Sequence, residues 1–527
     1  MVNAGPVEVT HVRRKIPLRS RLAPALLAFL LEGCTRNAMP AAPAPREAAA
    51  RTPPDAGTSA QRVALFVTAD LQGQLTPCGC SQGMRGGLGR AAAQLARARE
   101  QGLPVLYLDA GDALFARGGL QPDETVEEER KAKAVADALR AMGLTLRFPG
   151  PLDDVQGAAF RQGLGLPELG PGAGRLLHVG GHTLGVLAAR SPAELAQAGK
   201  QLREQGAEFV LALYGGPVDR AVAAVHGAEA VDLVVAAQDG APVSVGDDSR
   251  LVRADVPVVR LQSRGRALLR VDLVFDGTGR FKLFTSSEDV ERERALLDER
   301  IELLLREMAL PGQDAELRRL LTARLATLVD RRVALAPPPP LAGANGFTAR
   351  PIALESTLPS DPGVDAVVAA FDRDVSELNL AWARAHGRDC PPPASGEAAY
   401  VGNARCLSCH AAAFDVYQRT GHALAYRTLE EVHQQYRLEC VACHVVGIQQ
   451  PGGVCRVDRV AGRDQVGCEN CHGPGSLHAT RPAARPIGRP APDRAVCVGC
   501  HTPENSPHFD FAAYLPRVLG PGHGAKR

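Results

Sequence analysis

Cysteine and histidine are concentrated in the last quarter of this 527-residue chain. Nine of the 13 cysteines and nine of the 14 histidines follow residue 396. Most of them form four copies of the pattern Cys-x-x-Cys-His, at Cys406–Cys409–His410, Cys440–Cys443–His444, Cys468–Cys471–His472 and Cys497–Cys500–His501. Two thiols at this spacing add to the two vinyl groups of a porphyrin, and the adjoining histidine binds the iron. The pattern therefore predicts four covalently bound haem c groups.

Two other kinds of site also use closely spaced cysteines. A zinc ribbon does not require a histidine directly after every second cysteine, and a thioredoxin-like domain carries one cysteine pair on a βαβ unit. At this chain's cysteine and histidine frequencies, chance would produce roughly 0.01 copies of the haem motif. Haem attachment is therefore the interpretation that four copies favour.

The second axial ligand of each iron is expected to be a histidine. The five methionines lie at positions 1, 39, 84, 142 and 308, outside residues 397–527, so methionine ligation from within the motif region is excluded. The spare histidines of that region are His422, His433, His478, His508 and His523. Five candidates for four positions predict bis-histidine coordination with low potentials, and they leave open one five-coordinate iron.

The segment before the motifs alternates short apolar runs with helical stretches. The β-prone runs are Val63–Thr68, Val105–Asp109, Phe209–Tyr214 and Val231–Ala236. Helical patterns such as Ala91–Glu100 and Glu127–Met142 separate them. Such alternation predicts an α/β layered domain over residues 62–284.

Two leucine-rich stripes at helical spacing predict a helical hairpin within residues 285–396. Ser286 and Asp289 match a capping box at the start of the first helix. A stiff proline run at 337–340 and a further helix at about Val364–His386 follow the hairpin. We therefore expect a multidomain protein in which this helical segment joins the α/β domain to a small, mostly helical cytochrome domain.

The N-terminus carries a predicted export signal. Basic residues precede the apolar run Leu22–Leu31, which ends at Glu32-Gly33-Cys34. This layout is similar to a bacterial lipobox, in which the Cys34 thiol is acylated. Residues 1–34 are therefore predicted as a signal and residues 35–61 as a flexible tether, which would hold an exported protein at a membrane. Cleavage elsewhere without a lipid, and an uncleaved anchor, stay open.

The overall composition excludes several classes of partner. Sixty basic and 58 acidic residues leave a formal charge of +2, and only 4% of residues are aromatic. Such a chain offers neither a basic field nor stacking platforms for nucleic acid. No apolar run reaches the ~20 residues of a membrane-spanning helix, which argues against an integral channel or transporter.

Several stretches around the motifs are distinctive, namely Tyr400-Val-Gly, Thr420-Gly-His422-Ala-Leu-Ala, Gly467-Cys-Glu-Asn-Cys-His472-Gly-Pro-Gly-Ser-Leu-His478 and His501-Thr-Pro-Glu504. They resemble the cytochrome c-554 family of tetrahaem electron carriers, over about the last quarter of the chain. The resemblance implies that His422 and His478 are distal iron ligands. His523 is a further candidate, while ligation and a solvated surface position are balanced for His433 and His508. One high-spin iron is a property of the family, but its electron donor does not transfer.

A second set of stretches lies in the first half of the chain, namely Thr68-Ala-Asp70-Leu-Gln72-Gly73, Gly86-Gly87-Leu-Gly-Arg90, Asp109-Ala-Gly-Asp112 and Val231-Asp-Leu-Val-Val235. They resemble the periplasmic 5'-nucleotidase branch of calcineurin-like metallophosphoesterases, which hold two metal ions with Asp, His and Asn. Asp70 and Asp112 match that ligand set. The other expected ligands are replaced, at Gln72, Leu152, Tyr214 and Gln238. The resemblance implies a sandwich fold with a degenerate site; altered metal binding and residual phosphatase activity stay open.

Four cysteines remain besides Cys34 and the eight haem thiols: Cys78, Cys80, Cys390 and Cys455. Pairing is the default in an oxidising compartment, and Cys390 with Cys455 is one possible disulfide. Cys78 and Cys80 follow the first strand, so a metal or redox site facing the cytochrome is the alternative.

These patterns predict an exported tetrahaem c-type cytochrome that transfers electrons between periplasmic donor and acceptor proteins. The α/β domain would serve as a non-catalytic scaffold, so the chain is more an electron carrier than a hydrolase. Two alternatives stay open. One is a multihaem oxidoreductase that reduces a small nitrogen oxide at a five-coordinate haem. The other is a periplasmic metallophosphoesterase or nucleotidase with an attached cytochrome.

Overall fold

The computed structural model describes residues 61–77, 84–121, 124–237, 249–285, 287–309, 315–335, 343–502, 505–506, 509–520 and 523. Several predicted features lie outside the described residues: the export signal with Cys34, the tether, Cys78, Cys80, Gln238, Ser286, the proline run at 337–340, Glu504 and His508.

Twelve strands occur within the described residues. In chain order they are β1 (Gln61–Thr68), β2 (Val105–Asp109), β3 (Leu144–Arg147), β4 (Gly174–Val179), β5 (His182–Ala189), β6 (Phe209–Gly215), β7 (Leu233–Ala237), β8 (Arg250–Val252), β9 (Val258–Arg260), β10 (Ala267–Phe275), β11 (Lys282–Leu283) and β12 (Gly346–Ala353). They form two sheets of six strands, with orders β11-β12-β10-β1-β2-β3 and β4-β5-β6-β7-β9-β8. Parallel pairing dominates the centre of the second sheet, and its edge strands β4 and β8 are antiparallel.

The two sheets face each other across one apolar core. That core includes Val67 of β1, Val186 of β5 and Leu211 of β6. β6 is buried along its whole length, because a sheet covered on both faces selects continuous apolar strands. Helices cover the outer faces, and this arrangement confirms the α/β sandwich predicted from the sequence.

The helices around the sheets are α1 (Leu88–Glu100), α2 (Thr125–Ala141), α3 (Gly157–Gly163), α4 (Pro192–Glu204), α5 (Val218–Ala224), α6 (Ser287–Met308), α7 (Ala315–Val333) and α8 (Pro362–His386). α6 and α7 pack on each other as the predicted hairpin. α8 is capped by Asp361, whose carboxylate accepts hydrogen bonds from the N–H groups of Gly363 and Val364 at 2.9 and 3.0 Å.

The α/β domain also recruits residues from beyond position 284. β12 pairs with β10 inside the first sheet, although its residues fall in the segment 285–396 that the sequence analysis assigned to a helical linker. α8 packs on α1 and α2 through Phe371 and Val375. Its far end, at Ala383, packs on Tyr426. Tyr426 belongs to residues 397–527, the predicted cytochrome domain, which is called the cytochrome region below. The segment between the two domains is therefore part of both.

The cytochrome region consists of short helices. They are α9 (Asn403–Leu407), α10 (Ala411–Tyr417), α11 (Ala425–Glu431), α12 (Leu438–His444), α13 (Cys468–His472), α14 (Ser476–Thr480), α15 (Arg494–Val498) and α16 (Phe511–Tyr514), with 3-10 turns at Gly421–Leu424 and Leu515–Arg517 and, in the α/β domain, at Pro151–Asp154. A disulfide joins Cys390 to Cys455, with the Cα atoms 5.2 Å apart. Among the described residues, no helix is both long enough and apolar enough to cross a membrane.

Candidate functional site

Each predicted haem motif lies on or next to one helical turn. α12 and α13 contain a motif each, while α9 and α15 lead into the other two. The backbone N–H of His410 donates to the Cys406 carbonyl at 2.9 Å, and His501 does the same to Cys497 at 2.9 Å. A helical turn brings residues i, i+3 and i+4 to one side, so both thiols and the imidazole of a motif share a face. That shared face matches a single porphyrin edge and its iron.

The attachment points of different motifs touch. None of the eight motif cysteines, all of which are described, forms a disulfide. The thiols of Cys406 and Cys468 lie close enough to affect each other's pKa, as do those of Cys443 and Cys500. The first motif is thus adjacent to the third, and the second is adjacent to the fourth.

Several histidine rings are oriented by a hydrogen bond at Nδ1. The partners are the carbonyl of Ala425 for His444 (2.5 Å), of Arg489 for His472 (2.8 Å) and of Arg485 for His478 (3.0 Å), and the Ser506 hydroxyl for His501 (2.8 Å). A carbonyl oxygen can only accept a hydrogen bond, so Nδ1 of His444, His472 and His478 must carry the hydrogen and Nε2 is left to bind a metal. Burial also lowers the pKa of His422, His444 and His501, which favours the neutral imidazole that a metal binds.

Two pairs of imidazoles face each other at a spacing that suits one iron. The ring centroids of His410 and His478 are 6.3 Å apart, and those of His422 and His501 are 6.1 Å apart. A metal–imidazole bond is about 2 Å, and the ring centre lies about 1 Å beyond the bonding nitrogen, so two axial imidazoles have centroids about 6 Å apart. The structure therefore brings His478 to this distance from the first motif's histidine, and His422 to this distance from the fourth's. The donor set fits c-type haem.

The remaining spare histidines are placed less directly. His433 is exposed and has a positive φ of 58°. His523 is half-buried, next to Gly520, whose Cα lies against Val416 of α10. The distal ligands of all four motifs stay as predictions.

A buried carboxylate, which is not among the predicted site residues, connects the third motif to the segment before the first. Glu469, between the cysteines of the third motif, is 1% exposed. It accepts hydrogen bonds from the N–H groups of Val401 at 3.0 Å, Gly402 at 2.6 Å and Gly475 at 2.7 Å. Asn403 reinforces the same junction, since its Oδ1 accepts from the N–H of Cys468 at 2.9 Å. The only signal in the sequence is an acidic residue at a variable motif position.

The residues of the phosphoesterase-like site lie on adjacent loops after β1 and β2. The N–H of Asp70 donates to the Gly111 carbonyl at 2.9 Å, and that of Gln72 donates to the Asp112 carbonyl at 2.8 Å. The Asp112 carboxylate accepts from the N–H of Leu152 at 2.8 Å. The Asp112 side chain is therefore at least partly engaged by the backbone.

A buried guanidinium lies beside these loops. Arg147 is fully buried and forms ion pairs with Asp153 at 2.6 Å and with Asp109 at 3.5 Å. Asp153 in turn accepts from the N–H of Asp112 at 2.9 Å. Burial raises the pKa of Asp109 to about 7, although Arg147 opposes that shift. The Tyr214 hydroxyl donates to the Arg190 carbonyl at 3.2 Å. In the part of the chain that the structure describes, no three His, Cys, Asp or Glu side chains are grouped as metal ligands.

Two phosphoesterase-type proteins and a related hydrolase are similar to this chain in structure. The 5'-nucleotidase precursor from Thermus thermophilus has a TM-score of 0.37 at 12% identity, with 60% of this chain and 59% of that chain covered. Sulfate thiohydrolase SoxB of Thermus thermophilus has 0.38 at 15% identity, with 62% of each covered. The calcineurin-like phosphoesterase YfkN of Bacillus subtilis has 0.36 at 10% identity, with 60% of this chain and 98% of that chain covered.

The cytochrome region has matches in sequence. Residues 405–473 match the family described as cytochrome c554 and c-prime. Cytochrome c-554 of Nitrosomonas europaea is 34% identical over an alignment of 96 positions, and the match covers 15% of this chain and 41% of that protein. The chain thus spans less than half of the length of this curated relative. The segment 405–473 is similar to cytochrome c-554, and this similarity implies covalently bound haem c.

Proposed function

We propose that this protein is a tetrahaem c-type cytochrome that carries electrons between redox proteins. The observation that carries the proposal is the pair of opposed imidazoles, His410 with His478 and His422 with His501, each joining one attachment motif to a histidine from elsewhere in the region. Two axial imidazoles leave no coordination position for a substrate, which suits a carrier better than a reductase. Haem supplies reversible one-electron chemistry when it is bound.

The residues of the chain hold and orient such groups. Two cysteines of each motif would tether the porphyrin, and the adjoining histidine presents Nε2 because Nδ1 is fixed by a hydrogen bond in the second, third and fourth motifs. Contacts between thiols of different motifs support close packing of the four groups, which electron transfer among them requires.

We infer that the α/β domain is a scaffold rather than a phosphoesterase. A dinuclear mechanism needs several ligands that are free to bind two metal ions. Here the Asp112 carboxylate accepts a hydrogen bond from a backbone N–H. Asp153 accepts a hydrogen bond from the N–H of Asp112 and forms an ion pair with Arg147, which brings a positive charge close to the site. The Tyr214 hydroxyl donates a hydrogen bond to the backbone carbonyl of Arg190.

We propose further that the protein is exported and held at the membrane by a lipid on Cys34. The sequence pattern Leu22–Leu31 followed by Cys34 supports this location. The Cys390–Cys455 disulfide also supports it, because structural disulfides persist in oxidising compartments.

The purified holoprotein is expected to retain four porphyrins after acid-acetone extraction, because thioether bonds survive that treatment while axial ligation does not. Intact-mass measurement combined with a pyridine haemochrome assay counts them. A count of two or fewer would overturn the proposal. Uniformly low-spin spectra would support a carrier, whereas a high-spin fraction that binds carbon monoxide would favour the reductase alternative.

The holoprotein is expected to show no turnover of nucleotide monophosphates with added Mn²⁺, Zn²⁺ or Mg²⁺, because Asp70 and Asp112 alone cannot hold a metal pair. Released phosphate is the readout. Turnover that disappears in the Asp70→Ala variant would show that the domain is an enzyme, and the exposed variant Asp137→Asn serves as the control.

A further inference from the structure

A group of charges joins the α/β domain to the helix that carries the second motif. Glu439 directly precedes Cys440, and its carboxylate lies 3.1 Å from Nζ of the buried Lys131 on α2. Lys131 also contacts Glu128 at 2.8 Å. On the other side, the buried Arg437 forms ion pairs with Glu439 and with Asp372 of α8. The second attachment motif is therefore held by charges that the α/β domain and α8 supply.

One carboxylate in this group is bound to neutral partners. Glu127 on α2 is 3% exposed. Its Oε2 accepts from the amide of Asn379 at 2.7 Å and from the N–H of Leu438, the first residue of α12, at 3.3 Å. Leu438 lies two residues before Cys440. The Glu127 carboxylate thus contacts the backbone two residues before Cys440, a predicted haem attachment point.

The charged groups around Glu127 differ in whether they can change charge. Arg437 and Glu439, at the start of α12, interact with Glu127 itself. Lys131 from α2, Asp372 from α8 and Arg264 from the loop after β9 interact with that pair, and Glu128 contacts Lys131. Lys131 and Arg437 have raised pKa values and stay protonated, against the opposing effect of burial. Desolvation also opposes ionisation of Glu439, but Lys131 and Arg437 outweigh it and lower the pKa of Glu439 to about 2, so this carboxylate stays ionised.

Glu127 and Asp372 are the two carboxylates of this group whose protonated form burial favours on balance. Burial raises the pKa of Glu127 and also that of Asp372. Asp372, however, accepts from the Arg437 guanidinium at 3.2 Å, which favours its ionised form. Glu127 accepts from two uncharged amide groups, which stabilise an anion less. Glu127 is therefore the carboxylate whose protonation an added negative charge nearby would favour most.

We propose that Glu127 takes up a proton when the haem attached at Cys440 and Cys443 is reduced. The inference rests on the proposed function, since it requires a haem at this motif. One electron arrives from the redox donor, one proton arrives from solvent, and the Glu127 carboxylate becomes a carboxylic acid, so the net charge of the haem and the surrounding group is unchanged. The α/β domain would then couple electron transfer to proton uptake instead of acting as a passive support.

The test is a spectroelectrochemical titration of the holoprotein between pH 5 and 9. At low pH Glu127 is protonated in both redox states. As pH rises through the pKa of the oxidised form, the potential of one haem falls, by at most a tenfold change in equilibrium constant per pH unit, about 59 mV. Above the pKa of the reduced form the potential levels off. We expect one such pH-dependent wave, and a Cys440→Ala, Cys443→Ala variant should lack it.

The Glu127→Gln variant is expected to lose this pH dependence, while Asp137→Asn on the exposed side of α2 keeps it. Persistence of the wave in Glu127→Gln, or its loss in Asp372→Asn instead, would overturn the assignment. Redox-difference infrared spectra of the unmodified protein give an independent readout: reduction should produce the band of a protonated carboxyl group, and its absence also overturns the assignment. Haem counting on the same samples separates this failure from failure of the proposed function.

Discussion

Replacement of His478 by alanine is expected to convert one of the four haem irons from low-spin to high-spin. The ring of His478 faces that of His410 at 6.3 Å, so removing it leaves the iron of the first motif without its second imidazole. The His422→Ala variant should do the same at the fourth motif, where His422 faces His501 at 6.1 Å. Because the two pairs are proposed to bind different irons, the double variant should show two high-spin irons of four.

Electron paramagnetic resonance of the oxidised protein, with integration of the high-spin signal against the haem content, measures these fractions. His226→Ala is the matched control, because His226 is an exposed histidine of the α/β domain that contacts Asp255. A low-spin spectrum identical to that of the parent protein in either variant would return that histidine to a structural role.

Glu469→Ala is expected to lower the stability of the cytochrome region by about 3 kcal/mol or more. The substitution leaves three backbone N–H groups, those of Val401, Gly402 and Gly475, without their buried acceptor. Each such group costs about 1–3 kcal/mol when it is left unsatisfied. Since the same carboxylate connects the segment before the first motif to the third motif, both should loosen together.

Thermal unfolding of the holoprotein, followed by circular dichroism in the haem absorption bands, checks this expectation. Glu430→Ala, at an exposed glutamate of α11, is the control and should leave the transition in place. An equal midpoint for the two variants would mean that water replaces the Glu469 carboxylate without cost.

Local sequence signals predicted the parts of this protein that depend on neighbouring residues. The four motifs needed only the spacing of adjacent residues, and the strand predicted at Phe209–Tyr214 occurs as β6 (Phe209–Gly215) because a continuous apolar run is a local property. The predicted α/β sandwich and helical hairpin are confirmed, because the alternation of strand and helix patterns that predicted them is also read from neighbouring residues. The helix predicted at Val364–His386 begins two residues earlier, at Pro362, where Asp361 caps it.

Contacts between distant residues were not predictable in this way. β12 was not predicted from the sequence, because Arg350 and Pro351 interrupt its apolar pattern and the strand forms by pairing with the distant strands β10 and β11. Likewise, nothing in the local pattern around Glu127 indicates that it meets Leu438. The spacing of the histidines could not show that His478 lies near His410 or that His422 lies near His501, since each pair of neighbouring rings joins separate segments.

The Cys390–Cys455 disulfide has a consequence for how the protein matures. It encloses the first two attachment motifs in a covalent loop and leaves the other two outside. The proposed attachment of four haems requires reduced thiols at all eight motif cysteines, whereas this pair is oxidised. The cell must therefore treat neighbouring cysteines of one segment in opposite ways, and any exchange between Cys455 and a motif thiol would block a haem. Correct biogenesis thus depends on the order in which the thiols are oxidised and alkylated.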